Sequence, residues 1–256
     1  MKGLGEVDVI LGIKVRKSKN GFSLCQSYYI EKILKKFNYF DIDPVKTPYD
    51  ASTCLKKNEG PSTSQSQYAK IIRSVMFLMN YTRPDIAYAV SRLSRYTHNL
   101  NIEHWNATER LFAYLKGTMN WCLHFNKFPV VLEGFCDTNW VSDNDEVSST
   151  NGYVFTLRGG AISWKSAKQT CIARSTMESE FISLELAGQE ANWLGNLLAN
   201  IPLWIKQLVS VSLHCDSQTA IRISKNSVYN GKERHIRIRH AMVKQLLKNE
   251  VISVGF

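Results

Sequence analysis

The order of strand-like and helical runs in the second half of the chain limits the fold more than any other feature. From about residue 128 come the apolar and β-branched runs VVLEGFCD, GYVFTL, AISWKS and TCIAR, then a helical pattern from about Thr176 to Asn200. After these follow a strand VSVSLHC, a helix near Asp216, a basic segment, a helix near residues 238 to 248 and a strand VISVGF. Adjacent strands followed by a helix, a strand and more helices are typical of an α/β layer. We therefore expect an α/β domain over residues 128–256.

The first half, residues 1–127, shows a different pattern. The runs VDVILGIKV and FSLCQ flank a KSKNG turn and predict a hairpin, and SYYIEKILKKF predicts a helix with Ser27 as its N-cap. Residues 41–67 are rich in Pro, Ser, Thr and Asn and predict a linker, and helices are expected over about residues 67–80, 85–96 and 102–116. Gly117 would end the last helix. The pattern predicts a mostly helical domain with an N-terminal hairpin.

Length and composition exclude several classes of protein. The chain has 256 residues, of which 44% are hydrophobic, so it can form one large or two modest domains. It lacks both a membrane-length apolar run and a signal peptide, which predicts an intracellular protein without a membrane anchor. Its six cysteines form no CxxC pair or zinc-ligand spacing, so we expect buried thiols and no structural metal.

The net charge of +10 is unevenly distributed along the chain. Residues 1–127 have 19 basic and 10 acidic side chains, residues 128–221 have 5 and 10, and residues 222–248 have 8 and 1. An acidic centre between basic flanks suits a protein that binds a polyanion and holds divalent cations. A solvated basic surface is the alternative.

Two aspartates lie where strands should fix their position. Hydrolysis of a phosphodiester by two divalent cations needs several converging carboxylates. Asp137 ends the strand VVLEGFCD, where a charge is costly without a partner or a metal. Asp216 ends VSVSLHC directly before a helix, and it is either a ligand or that helix's N-cap.

The helix from Thr176 contains two competing glutamates. Helical periodicity places Glu180 on the apolar face, with Leu184, Ala187, Ala191, Leu194 and Leu198. The same periodicity places Glu178 with Glu185, Gln189 and Asn192, which predicts a solvated first-turn acid. Glu180 is therefore either a strained accident or a buried ligand, favoured as an anion by the helix dipole.

Other side chains have weaker claims to a function. His235 lies in the basic run KERHIRIRH and suggests a solvated or phosphate-contacting surface. Trp140, Trp164 and Trp193 could stack on bases, but core packing is the commoner role. A phosphate-binding Gly-rich loop, an HExxH motif and a GxSxG motif are missing from the sequence, so NTPase, metalloprotease and α/β-hydrolase functions lack support.

A series of ordered motifs resembles one family over essentially the whole chain. The segments CDTNW, SSTNGYVF, AISWKSAKQ, ARSTMESEF, CDSQTAI and RHIRIRH resemble the ribonuclease H domain of copia-type retrotransposon Pol polyproteins. In the first half, MKGLGEVDVILGIKV resembles the end of the reverse transcriptase, and NYTRPDIAYAVSRLSRYTHN and HWNATERLFAYLKGT resemble the connecting region.

This resemblance implies a fold, an activity and a set of site residues. It implies a ribonuclease H-like mixed sheet with flanking helices, preceded by a thumb/connection-like region, and cleavage of the RNA strand of an RNA–DNA hybrid. Asp137, Glu180 and Asp216 would be the catalytic ligands of Mg²⁺, with Mn²⁺ as an alternative, and no other cofactor is expected. The partners would be nucleic acid and the rest of Pol, in cytoplasmic virus-like particles or the nucleus. The basic residues expected to contact nucleic acid are Arg222, Lys225, Lys232, Arg234, His235, Arg237 and Arg239.

Departures from the family pattern keep alternatives open. The polymerase acids would precede Met1, and a further carboxylate ligand would follow the strand VISVGF, so we expect a truncated domain with an incomplete metal site. Arg237 replaces a usual acid, Ala241 a histidine and Asn139 a second acid. The alternatives to a nuclease are an inactive nucleic-acid-binding remnant of a decayed element, and a genomic fragment without a selected function.

Overall fold

The chain divides into two structural units, Met1–Phe128 and Pro129–Phe256, each with its own hydrophobic core. The computed structural model describes residues 8–50, 52–53, 55–61, 65–126, 129–143, 148–202, 210–226 and 234–256. Among the helices in these ranges, none is both long and apolar enough to cross a bilayer.

The first unit combines a four-stranded antiparallel sheet with a group of helices. The strands lie in the order β1-β2-β3-β4. The predicted hairpin and helices are confirmed, within a few residues at their ends. The elements are β1 (Val9–Ile10), β2 (Ile13–Ser18), β3 (Gly21–Cys25), α1 (Ser27–Lys36), α2 (Gln65–Tyr81), a 3-10 turn (Pro84–Ile86), α3 (Ala87–Ser94), α4 (Ile102–Gly117) and β4 (Cys122–Asn126).

Two details of the first unit differ from the prediction. The N-cap of α1 is Gln26, and Ser27 is the first helical residue. Gln26 is buried and its side-chain oxygen accepts a hydrogen bond from the Thr82 hydroxyl at 2.7 Å, which fixes the residue before the helix. The strand β4 was not predicted, because its partner β3 is distant in sequence; stacking of Phe22 on Phe125 supports the pairing.

The second unit is a five-stranded mixed sheet with helices, which confirms the predicted α/β fold class. The strand order is β7-β6-β5-β8-β9; β5, β6 and β7 are antiparallel, whereas β8 runs parallel to both β5 and β9. The elements are β5 (Leu132–Asp143), β6 (Ser148–Leu157), β7 (Gly160–Lys168), α5 (Thr176–Ala199), β8 (Val211–Cys215), α6 (Gln218–Lys225), α7 (Arg234–Lys248) and β9 (Ile252–Gly255).

Local sequence explains several of these elements. Arg158 and Gly159 both have positive φ, 54° and 74°, which gives the two-residue turn that matches the twist of the β6–β7 hairpin. Helix α5 begins after Ser175, whose side chain accepts a hydrogen bond from the Glu178 amide. Gly134 leaves room for Phe155, whose ring would lie 2.4 Å from an added Cβ.

The predicted strand TCIAR is wrong, since residues 170–174 form bends and irregular backbone. Side chains bind this backbone in place of a neighbouring strand: the Arg174 amide donates to the Glu178 carboxylate at 2.8 Å, and the Trp140 indole donates to the Ala173 carbonyl at 3.5 Å. Because the segment turns from β7 into α5, it has no strand beside it to extend the ladder.

Three other boundaries in the second unit also differ from the prediction. Asp137 does not end its strand, because β5 continues to Asp143 beside β6. Helix α6 begins at Gln218 rather than near Asp216, and α7 begins at Arg234, four residues before the predicted start. The run RHIRIRH is therefore helical.

Candidate metal centre

The register of two parallel strands brings Asp137 and Asp216 to neighbouring positions. Cys136 of β5 is paired with Cys215 of β8, and each cysteine directly precedes one of the aspartates. Neighbouring strands lie about 4.8 Å apart. Both aspartates are exposed. The fold thus places two carboxylates side by side in the middle of the sheet, where solvent can reach them.

Helix α5 adds Glu180 to this part of the sheet. The helix packs on β5, β6 and β8, and Glu180 is only 6% exposed. One ligand atom each from Glu180, Cys215 and Asp216 lies within 4.8 Å of the others. The buried Oε2 of Glu180 has no hydrogen-bond partner. Helix α5 and the end of β8 therefore converge on a buried carboxylate with an unsatisfied oxygen.

Asp137 lies beside this group rather than within it. Its Oδ1 accepts a hydrogen bond from the Thr138 amide at 2.7 Å. Among the described residues, Glu180, Cys215 and Asp216 form a cluster of side chains that could bind one metal ion. Asp137 does not belong to this cluster. Of the three predicted ligands, the structure brings Glu180 and Asp216 together and leaves Asp137 on the adjacent strand, with its carboxylate bound to its own backbone.

Burial and neighbouring acids disfavour a negative charge on Glu180. Burial, followed by the charges of Asp216, Cys215 and Asp137, raises the pKa of Glu180 from 4.5 to about 8. Glu180 therefore holds a proton at neutral pH when no cation is near, as expected for a buried acid among like charges. A divalent cation would reverse this balance and favour the ionised carboxylate.

The alternative role of Asp216 as an N-cap is excluded by α6. The N-cap is Ser217, whose hydroxyl accepts a hydrogen bond from the Ala220 amide at 3.3 Å. Asp216 is thus not needed to cap the helix, and its carboxylate is available to the centre.

The prediction that Glu178 is a solvated first-turn acid is wrong. Every residue from Glu178 to Glu185 is buried, because the sheet covers one side of α5 and α7 covers another. Glu178 accepts a hydrogen bond from the Arg174 amide, and Glu185 forms a 2.5 Å ion pair with Arg239. These two acids are stabilised by partners, whereas Oε2 of Glu180 has none.

A buried polar network next to the centre was missed by the sequence analysis. The Gln169 side-chain amide donates to Asn151 Oδ1 at 2.5 Å and to the Ser179 carbonyl at 3.0 Å, and the Thr138 and Ser179 hydroxyls lie 2.9 Å apart. Thr138 follows Asp137 and Ser179 precedes Glu180, so the network ties together the backbone that carries both acids. Polar residues such as these show no periodicity that marks them as partners.

The predicted nucleic-acid contacts divide by exposure. Arg222, Lys225, Arg234 and Arg237 are exposed and His235 is half-buried. Arg239 differs from the prediction, because its guanidinium is held in the ion pair with Glu185. Lys232 lies outside the described residues.

The tryptophans also differ from the expectation of core packing. Trp140 is 45% exposed and Trp193 is 56% exposed, whereas Trp164 is half-buried. Trp140 follows Asp137 on the same strand and is therefore an exposed aromatic side chain near the centre.

The donor atoms of the centre fit a divalent cation. Carboxylate oxygens are the ligands that Mg²⁺ and Mn²⁺ prefer, and the unpartnered Oε2 of Glu180 would gain a partner from a bound ion. Asp216 and Glu180 would hold the ion, and Asp137 would join them by releasing the Thr138 amide.

Known proteins similar to the chain include polyproteins of plant transposons. No family model matches the chain. It is 38% identical to the retrovirus-related Pol polyprotein from transposon TNT 1-94 of Nicotiana tabacum, over 99% of this chain and 20% of the relative. It is 33% identical to that from transposon RE1 of Arabidopsis thaliana, over 97% of this chain and 17% of the relative. The chain thus spans a fifth or less of the length of these relatives.

A solved structure supports the fold. The foamy viral protease–reverse transcriptase, solved in complex with dsDNA, is 12% identical and has a TM-score of 0.57 over 96% of this chain and 44% of that one. The two transposon relatives confirm the expected family: the chain belongs to the retrovirus-related Pol polyproteins of copia-type transposons.

Proposed function

We propose that the second unit is a divalent-metal-dependent nuclease of the ribonuclease H type, which cleaves the RNA strand of an RNA–DNA hybrid. The observation that carries the proposal is the buried Glu180 carboxylate, which lies near Asp216 and has an oxygen without a hydrogen-bond partner. Burying such a group is costly unless a cation binds it, so a stable fold that retains it favours a metal site.

Asp137, Glu180 and Asp216 would hold Mg²⁺ or Mn²⁺ in this proposal. When bound, a pair of divalent cations activates water and stabilises charge on the attacking and leaving oxygens. Glu180 changes from a protonated acid to a ligand and releases its proton to solvent. Asp216 and Asp137 are exposed and would be accessible to the scissile phosphate, and the network around Gln169 would keep the backbone of β5 and α5 in place.

The nucleic acid would bind through exposed cations. Arg222 and Lys225 on α6, with Arg234 and Arg237 on α7, are free to reach solvent and would neutralise backbone phosphates. Contacts with phosphates position the strand without reading its sequence. We therefore expect affinity for hybrids with little dependence on sequence and a steep dependence on salt.

Cleavage of a labelled RNA–DNA hybrid by the purified full chain with Mg²⁺ tests the proposal. Glu180→Gln and Asp137→Asn should each abolish cleavage, because each removes a ligand without changing the shape of the side chain. Glu190→Gln is the matched control: Glu190 lies on the same helix and accepts a hydrogen bond from the Ser163 hydroxyl, which glutamine can also accept. Equal cleavage by Asp137→Asn and the unmodified chain would remove the proposed mechanism.

A second candidate is a nucleic-acid-binding protein without turnover. The observation that favours it is the Asp137 carboxylate, which is bound to the Thr138 amide rather than grouped with Glu180 and Asp216. In that case hybrid binding persists without cleavage at any concentration of Mg²⁺ or Mn²⁺. Its affinity should fall linearly with salt on logarithmic axes, and an affinity insensitive to salt would contradict it.

A further inference from the structure

The candidate centre contains a sulfur donor besides its carboxylates. Cys215 is the last residue of β8, is 2% exposed, and has its Sγ within 4.8 Å of ligand oxygens from both Glu180 and Asp216. Cys215 contributes to the hydrophobic core beneath α5, whereas Asp216 follows the strand and is exposed. The group therefore has a buried side with a sulfur and an oxygen, and an open side with a carboxylate.

An independent observation indicates that this group takes a ligand. Glu180 is only 6% exposed, which leaves it 94% buried. Its Oε2 atom nevertheless has no hydrogen-bond partner. A polar atom left in that state costs roughly 1–3 kcal/mol. A cation placed between the sulfur and the two carboxylates would satisfy the oxygen.

The dimensions of the group suit a single small cation. In tetrahedral coordination Zn²⁺ lies about 2.3 Å from sulfur and about 2.0–2.2 Å from oxygen, so neighbouring ligand atoms of one ion are about 3.4–3.6 Å apart. The three donor atoms lie within 4.8 Å of one another without an ion present. Side-chain rotations that bring these atoms closer by about 1 Å would complete the coordination.

We propose that Cys215 is a third ligand of this centre and that it lets the centre bind a thiophilic divalent cation, such as Zn²⁺ or Cd²⁺, in competition with Mg²⁺. The inference rests on the proposed function only in that it uses the same two carboxylates. Thiolate ligands select Zn²⁺ and similar ions, whereas an all-oxygen site suits Mg²⁺. The thiol gives up its proton to solvent when its sulfur binds the ion. Such an ion would occupy the centre and inhibit cleavage.

Titration of the full chain with Cd²⁺ tests this inference without any nuclease assay. Sulfur bound to Cd²⁺ gives an ultraviolet charge-transfer absorption, which reports the thiolate ligand directly. We expect saturable absorption in the unmodified chain and its loss in Cys215→Ser, with Cd²⁺ affinity lowered by about tenfold or more. Cys171→Ser is the control, because Cys171 is a half-buried free cysteine outside the group.

Cys215 lies beside the thiol of Cys136 on the neighbouring strand. Two further measurements distinguish binding at the carboxylate centre from binding by these two thiols alone. Asp216→Asn should weaken Cd²⁺ binding while both thiols remain, and excess Mg²⁺ should compete with Cd²⁺ in the unmodified chain. Equal Cd²⁺ absorption in Cys215→Ser, or binding unaffected by Asp216→Asn and by Mg²⁺, would overturn the inference. The Mg²⁺ competition needs no variant, so even where Cys215→Ser fails to fold by circular dichroism it tests whether the thiolate-bound ion occupies the carboxylate centre, and absorption unaffected by Mg²⁺ would still overturn the inference.

The outcomes also distinguish this inference from the nuclease proposal. Cd²⁺ binding through Cys215 in a chain that never cleaves a hybrid would count against the nuclease alone. Cleavage with Mg²⁺ in a chain whose Cd²⁺ absorption does not involve Cys215 would count against the inference alone.

Discussion

Replacing Glu180 with glutamine should change how stability depends on pH in the metal-free chain. Burial and the nearby acids raise the pKa of Glu180 from 4.5 to about 8. Between these pH values the folded chain keeps a proton that the unfolded chain has released. The contribution of Glu180 to the free energy of unfolding is therefore fully present below about pH 4.5 and is lost as pH rises through about 8.

The size of this effect follows from the pKa difference. Each pKa unit corresponds to about 1.4 kcal/mol, so ionisation of Glu180 should lower the free energy of unfolding by roughly 3–5 kcal/mol across this range. Glutamine has nearly the same shape and stays neutral at every pH. Glu180→Gln should thus match the unmodified chain near pH 5 and exceed its stability by roughly 3–5 kcal/mol near pH 8.5.

Chemical denaturation followed by far-ultraviolet circular dichroism between pH 5 and 8.5, with a chelator present, measures the difference. The measured quantity is the difference in the free energy of unfolding between the two proteins at each pH. Contributions from groups that titrate alike in both proteins cancel in this difference. Glu190→Gln serves as the control, because it neutralises another carboxylate on the same helix that lies outside the centre. A stability difference between Glu180→Gln and the unmodified chain that stays constant with pH would refute the electrostatic account.

Three other changes test the packing around the centre. Gly134→Ala should lower the free energy of unfolding by about 1–3 kcal/mol in urea denaturation, because an added Cβ lies 2.4 Å from the Phe155 ring. Arg239→Met should cost about 3 kcal/mol, since it leaves buried Glu185 with a hydrogen bond from Gln189 but no cationic partner, and adding Glu185→Gln should restore most of the loss. Gln169→Leu should cost roughly 1–3 kcal/mol and reduce hybrid cleavage with little change in hybrid affinity; unchanged cleavage would contradict a positioning role.

Periodicity in the sequence was enough to identify Glu180, but not its neighbours. The apolar face of α5 was correctly predicted, and Glu180 was the charge misplaced on it. Glu178 was predicted to be solvated, and the burial of Glu185 was not foreseen, because the sequence of a helix does not show what packs on its polar side. Their partners, the Arg174 amide and the Arg239 guanidinium, come from other segments.

The strands show the same division between local and distant information. The three strands of the β5–β7 meander were predicted from local alternation and turn residues, whereas β4 was missed because it pairs with β3 far earlier in the chain. The sequence alone left Asp216 as either a metal ligand or a helix N-cap, and the structure excludes the second role because Ser217 caps α6. Cys215 gave no signal, since a buried thiol in a strand looks like any small apolar residue.

The parallel pairing of β5 with β8 has a consequence for how the second unit folds. The β5–β7 meander and α5 precede β8, and the contact between Cys136 and His214 closes a loop of 78 residues. Such long-range pairings form slowly, because the entropy of closing the loop is lost before the contacts are gained. A nascent chain that has left the ribosome only as far as α5 can build its hairpins but holds Asp137 without Asp216. The centre therefore forms late, and a cation can stabilise only the nearly finished fold.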